Sequence, residues 1–184
     1  SYMNERLDPA IMKHYGCNIS HQPISNASFG FWPNMIPFID AGVNVSLGTD
    51  GQTQSMFENM RAAQMIHRIR YEDLNLLPDK QMFEMATING AKSLHLENEI
   101  GTLEVGKKAD IVLLKNDSPV PVFENNIMNF VVTVADSAHV DTVFIDGNKV
   151  VERGEYLLMD EDEVRAKCQE QAVDFWKRND WPTP

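Results

Sequence analysis

The stretch "GVNVSLGTDG", residues 42–51, places a carboxylate, Asp50, between two glycine-containing turn positions where an apolar strand runs out. Two chemistries suit that arrangement. Asp beside Gly is common punctuation between strand and helix, as a turn residue or an N-cap. An Asp at the carboxyl end of a parallel strand is also where α/β enzymes build acid–base and metal sites. The ten residues alone leave both open. A second polar group, "SHQPISN" at 20–26, follows another short apolar run. His21 there suits either a pocket wall or a structural hydrogen bond, and Ser25 and Asn26 suit either ligand contact or Asx-turn chemistry.

The other reactive residue types carry less. The five histidines are His14, His21, His67, His95 and His139, with no His-x-His pair among them. His67 sits late in a helical pattern beside Arg68 and Arg70, which predicts a solvated or interfacial side chain. Cys17 and Cys168 lie far apart without metal-type spacing, so they read as buried thiols in a reducing compartment. Lys107-Lys108 reads as a turn, since no Gly-rich loop opens a helix there.

The elements that must position Asp50 follow from periodicity. "DPAIMKHY" (8–15) predicts a short helix closed by Gly16, and Met35, Ile36, Phe38 and Ile39 predict another ended by Gly42. Gly-x-Asn-(Ile/Val)-Ser occurs at 16–20 and again at 42–46, an offset of 26 residues. Strands at 17–21 and 43–47, alternating with helices, have the rhythm of parallel βα units. Met56, Met60, Ala63, Ile66 and Ile69 predict an amphipathic helix over 56–70, its methionines packed as core. Pro78-Asp79 starts a further helix, and "INGAKSLHL" is expected to break at Gly90.

Beyond residue 96 the pattern changes. A short strand near 100, "ADIVLL", "NFVVTVA" (129–135) and a hairpin with Asp146-Gly147 at its turn predict an antiparallel β layer over 100–157. A terminal helix over 160–179 has acids in its first turn, bases in its last, and Val164, Cys168, Ala172 and Phe175 as its apolar stripe. Net charge is −11, which disfavours nucleic-acid and anionic membrane surfaces. No apolar run reaches the ~18 residues of a membrane span, and residues 1–20 lack a basic-then-apolar leader, so a cytoplasmic protein is expected.

Taken together, "SHQPISN", "AGVNVSLGTDG", "EMATINGAKSL", "IGTLEVGKKADIVLL" and "VDTVFIDGNKVV" resemble the carboxyl-terminal portion of an amidohydrolase-superfamily enzyme. The resemblance is to the aminohydrolase and chlorohydrolase branch, which includes adenosine-type deaminases, guanine deaminases and triazine hydrolases. It runs from about residue 8 to residue 157. It implies an α/β fold, part of a metal-dependent (β/α)₈ TIM-type barrel with a small β-sandwich built from both chain ends. It also implies hydrolysis of a C–N bond, or displacement of another leaving group, on a small nitrogen heterocycle. One divalent metal, Zn or Fe²⁺, would activate the water. Asp50 matches the family's Asp on the eighth strand, which binds the metal and accepts the water's proton. The "SHxPxSN" segment supplies no metal ligand in that family, leaving His21, Ser25 and Asn26 as candidate substrate contacts. Phe29, Phe31 and Trp32 would lie at the barrel mouth, where they suit ring stacking or loop tethering.

The chain departs from the family pattern as well. It has neither the His-x-His of the first strand nor the His-x-x-Glu of the fifth. Catalytic zinc takes about three protein ligands, and one is matched here. A closed barrel takes eight strands, and two are evident. The expectation is therefore the last two-fifths of an enzyme, inactive alone and binding metal weakly or not at all. Residues 1–97 would carry barrel strands seven and eight, 98–157 a β-sandwich segment, and 158–184 the terminal helix and tail. Open strand edges would then require self-association or pairing with the rest of the barrel. Two other readings stand beside this one: a cyclic-amide hydrolase of the dihydroorotase or imidazolonepropionase kind, and an inactive scaffold or subunit.

Overall fold

The computed structural model describes residues 4–182. Helix α1 (Asp8–His14) carries Pro9 in its first turn, where the missing N–H costs nothing. It ends at Gly16 (φ +63°), as α3 (Ile36–Asp40) ends at Gly42 (φ +77°). At both ends the next N–H reaches back five residues, Cys17 to the Met12 carbonyl and Val43 to the Phe38 carbonyl, each at 2.9 Å. This is a Schellman cap, and its left-handed position suits a residue without Cβ.

Each cap launches a strand. Strands β1 (Asn18–His21) and β2 (Asn44–Leu47) pair in parallel, Asn18 opposite Asn44 through His21 opposite Leu47. The 26-residue repeat is thus the ladder register itself. Asn44 Nδ2 donates to Asn18 Oδ1 at 2.9 Å, and Ser46 Oγ donates to the Ile19 carbonyl at 3.1 Å. Helix α2 (Pro23–Ser28) and α3 form the crossover that a parallel pair requires.

Helices α4 (Met56–Tyr71), α5 (Asp79–Ala86) and α6 (Ile88–Ser93) follow β2. The core joins Ile19, Val45 and Leu47 of the strands to Met35 and Phe38, then to Met60, Ala63, Met82 and Met85. Met60 and Ala63 point inward as expected, but Ile69 is 77% exposed, because the buried face of α4 runs through Asn59, Gln64 and His67 instead. Gly90 does not break a helix. The interruption falls at Thr87 (φ −127°, ψ −94°), and Gly90 lies inside α6.

Strands β3 (Ile111–Leu114), β4 (Val140–Ile145), β5 (Asn148–Glu152) and β6 (Glu155–Tyr156) form an antiparallel sheet in that order. Asp146 and Gly147 both have positive φ, the geometry a two-residue hairpin turn demands.

Four expectations are corrected. "NFVVTVA" is not a strand: α7 (Ile127–Asn129) runs into a π-helical turn, Phe130–Val134. Phe130 and Val132 are buried, and Arg61 Nη1 donates to the Ala135 carbonyl at 2.7 Å, so the segment docks on α4. Packing outweighs the preference of its β-branched residues. No strand forms near residue 100, where Lys107 Nζ folds the loop by donating to the Glu97 carbonyl and Thr102 Oγ1. Cys17 and Cys168 are exposed rather than buried. Helix α8 (Glu161–Arg178) is capped by Asp160 and has the expected charge order, but none of its residues is buried and its apolar stripe stays at the surface. No helix among the described residues is long and apolar enough to cross a membrane.

Candidate functional site

The two parallel strands end side by side, and the loops beyond them meet. Gly48 N–H donates to the His21 carbonyl at 2.8 Å, extending the ladder one step past β2. Two residues later Asp50 takes a left-handed backbone (φ +55°), which turns the chain towards α4 and leaves its carboxylate exposed. Its two oxygens are held separately. Ser25 Oγ donates to Oδ2 at 2.8 Å, and Gly51 N–H donates to Oδ1 at 2.7 Å. Gln54 Nε2 ties down the Asp50 carbonyl at 3.1 Å and Thr49 Oγ1 donates to Gln54 Oε1 at 3.3 Å, bracing the turn.

This carboxylate opens on a cleft of about 590 Å³ that is also lined by His21, Ser25, Asn26, Phe29, Phe31 and Trp32. The structure therefore brings Asp50, His21, Ser25 and Asn26 to one place. They do not stand there alike. Ser25 is 1% exposed with its proton directed at Asp50, Asn26 is half-buried, and His21 is 3% exposed. Phe29 and Phe31 lie exposed on the rim, while Trp32 is tucked beneath with its Nε1–H buried and without a hydrogen-bond partner among the described residues.

His21 is buried at the end of β1 with both ring nitrogens unpartnered among the described residues. Burial, and to a lesser degree the neighbouring His67, together push its pKa down from 6.5 to about 3. A neutral imidazole presents one donor and one acceptor.

His67 overturns the expectation of a solvated or interfacial side chain. It is fully buried, with Nδ1 at 2.8 Å from the Ala63 carbonyl and Nε2 accepting from Met35 N–H at 3.1 Å. Nδ1 therefore carries the proton. Burial holds this imidazole below the ordinary histidine range, as does Arg70, although the bond to Ala63 opposes them. The Trp32 ring leans on His67 with ring centres 4.7 Å apart, and the Arg70 guanidinium lies over the Trp32 ring, 5.7 Å from its centre. His67 stands four residues after Ala63 and seven after Met60, so helical spacing alone marks it as inward-facing. Asn34 was also missed: its Nδ2 bonds Glu5 Oε2 at 3.0 Å and Tyr71 Oη at 2.7 Å, pinning the rim loop to the end of α4.

A carboxylate has about four lone-pair positions, and two hydrogen bonds leave Asp50 able to accept a proton or to donate an oxygen to a cation. Among the described residues no three His, Cys, Asp or Glu side chains gather into a group that would hold a metal ion. The donor set of these residues thus fits one corner of a metal centre and not a whole one.

The pattern of the amidohydrolase family matches residues 5–150. Among curated proteins, the chain is 38% identical over 170 residues to a 5-methylthioadenosine/S-adenosylhomocysteine deaminase of Acetivibrio thermocellus, covering 90% of this chain and 39% of the relative. It is 34% identical over 179 residues to a 5'-deoxyadenosine deaminase of Methanosarcina acetivorans, covering 93% and 40%. Among solved structures, an adenosine deaminase from Xanthomonas campestris with bound zinc superposes with a TM-score of 0.86 at 24% identity, over 92% of this chain and 40% of that one. That likeness is one of fold, a TIM-barrel type. The chain spans about two fifths of the length of the curated relatives it matches.

Proposed function

The chain belongs to the amidohydrolase family, and on that premise we propose that it is part of a metal-dependent hydrolase that deaminates an adenosine-type purine nucleoside. One observation carries this reading: the Asp50 carboxylate stands at the carboxyl end of a parallel strand, braced by Ser25 and Gly51, at the edge of a cleft large enough for a heterocycle. The relatives named as acting on 5-methylthioadenosine, S-adenosylhomocysteine and 5'-deoxyadenosine support the substrate class.

In this reading residues up to about 97 belong to the barrel, 98–157 to a β-sandwich segment and the remainder to a terminal helix and tail. Two parallel strands among helices, followed by a separate antiparallel sheet, support that division. The two-stranded sheet would be completed by further barrel strands, from the same polypeptide or another copy.

When bound, a divalent ion, zinc by analogy with the neighbour of the same fold, would supply the Lewis acidity that makes a water nucleophilic near neutral pH. Asp50 would contribute one oxygen ligand and accept the proton that water loses at a carboxylate oxygen. The other ligands would come from elsewhere in the full-length protein. Asn26 and His21 line the cleft as candidate contacts to the purine, His21 as a neutral donor and acceptor.

The test is Asp50→Asn in the full-length protein. Ammonia release from 5'-deoxyadenosine or 5-methylthioadenosine is expected to fall by at least about 10³-fold while circular dichroism is unchanged. Wild-type turnover in that variant would remove Asp50 from the chemistry.

A further inference from the structure

We infer that Ser25 is a positioning residue for Asp50: by reaching across from α2, the helix after β1, its hydroxyl fixes the carboxylate orientation that the proposed site uses. The inference rests on the assignment of Asp50 made above.

Asp50 is exposed and sits in a left-handed turn, so little packing restrains its side chain. Its bond to Gly51 N–H is local, between adjacent residues, and moves with the turn. The bond from Ser25 Oγ is of another kind. It spans 25 residues and joins α2, the helix after β1, to the turn after β2. Ser25 itself cannot wander, because it is 1% exposed and lies in α2, directly beyond Pro23. Its backbone carbonyl is also engaged, by Phe29 N–H at 3.2 Å. A rigid, buried donor therefore holds an exposed acceptor.

The direction of the bond matters. A hydroxyl donates one proton, and here that proton goes to Oδ2. This leaves the carboxylate's remaining lone pairs for the cleft and sets the plane in which they point. An outer hydrogen bond of this sort orients a ligating group, and its loss costs about 10–100-fold in metal affinity. Ser25 would thus act through Asp50 rather than by touching substrate.

The test uses the full-length protein as wild type, Ser25→Ala and Asp50→Asn. Zinc affinity is read by competition with a chromophoric chelator, and kcat and KM are read separately. Ser25→Ala is expected to bind Zn²⁺ about 10–100-fold more weakly and, once saturated with zinc, to lose roughly tenfold in kcat with KM within about threefold. A purely structural serine would lower the melting temperature but leave the zinc affinity of folded molecules unchanged, and that result would overturn the inference. If Asp50→Asn retains wild-type zinc affinity and turnover, the reading of Asp50 fails first and Ser25 has nothing to position. If Asp50→Asn is impaired and Ser25→Ala is not, only the present inference fails. Should the alanine variant not fold, Ser25→Gly, which also lacks the hydroxyl and adds no zinc ligand, carries the same test: weakened zinc binding supports the inference, and wild-type affinity refutes it.

Discussion

His21 and His67 stand edge to face, ring centres 5.6 Å apart, yet of the two only His67 finds hydrogen-bond partners among the described residues. These two buried imidazoles, both held below the ordinary histidine range, couple this part of the fold to pH. Burial drives His21 to about 3, against 6.5 for an ordinary histidine. Between those values the unfolded chain binds a proton that the fold refuses. His21's neutrality is thus neutral to stability above pH about 6.5 and costs progressively more as pH falls towards 3. At pH 5 the loss from His21 is about 2 kcal/mol. Urea midpoints of the full-length protein should fall between pH 7 and pH 5, and His21→Leu should flatten that slope. An equal slope in both proteins would refute the assignment.

His67 is the satisfied partner, and removing it strands a donor. In His67→Leu the Met35 N–H, now 3.1 Å from Nε2, is left buried and unpaired. A loss of roughly 1–3 kcal/mol is expected, with added disorder at Trp32, whose ring leans on the imidazole. Denaturant titration measures the first, and tryptophan emission reports the second.

Asn44 tests whether the repeat specifies the strand register. Its Nδ2 reaches Asn18 Oδ1 at 2.9 Å, the Asn89 carbonyl at 3.0 Å and Ser93 Oγ at 3.1 Å. Asn44→Asp turns this donor into an acceptor facing other acceptors, and should destabilise by about 2 kcal/mol or more. A change under half of that in thermal denaturation would show the network to be incidental.

Phe38 gives the packing counterpart. It is fully buried in the core between the strand pair and the helices. Phe38→Ala should cost about 3–5 kcal/mol. Asp50→Asn, by contrast, changes an exposed side chain and, in the metal-free protein, should leave stability within about 0.5 kcal/mol of wild type. The opposite ranking of these two substitutions in an unfolding experiment would refute the separation of core from site.

Local features were legible because their causes are local. Gly16 and Gly42 closed their helices where a left-handed residue was needed, and Asp146-Gly147 made the hairpin turn. The repeated Gly-x-Asn-(Ile/Val)-Ser turned out to be the pairing register, since equivalent residues of adjacent parallel strands make equivalent bonds. The candidate carboxylate was visible for the same reason: a strand ending in Thr-Asp-Gly is a pattern of neighbours in sequence.

What the chain order could not express was the partner of each face. "NFVVTVA" has the composition of a strand, and only the chance to bury Phe130 and Val132 on α4 made it helical. His67 carries charged neighbours that suggested solvent, and only the packing of Trp32 and Met35 around it made it an internal hinge of hydrogen bonds. Sequence by itself determined the short-range conformation, the strand register and the carboxylate at the strand end, because those depend on dihedral preference and on spacing along the chain. Tertiary structure alone decided that Ser25 would find Asp50, that His21 would be buried with no hydrogen-bond partner among the described residues, and that α8 would keep its apolar stripe outside. Each of those depends on which surfaces meet in space, a quantity that no window of neighbouring residues contains.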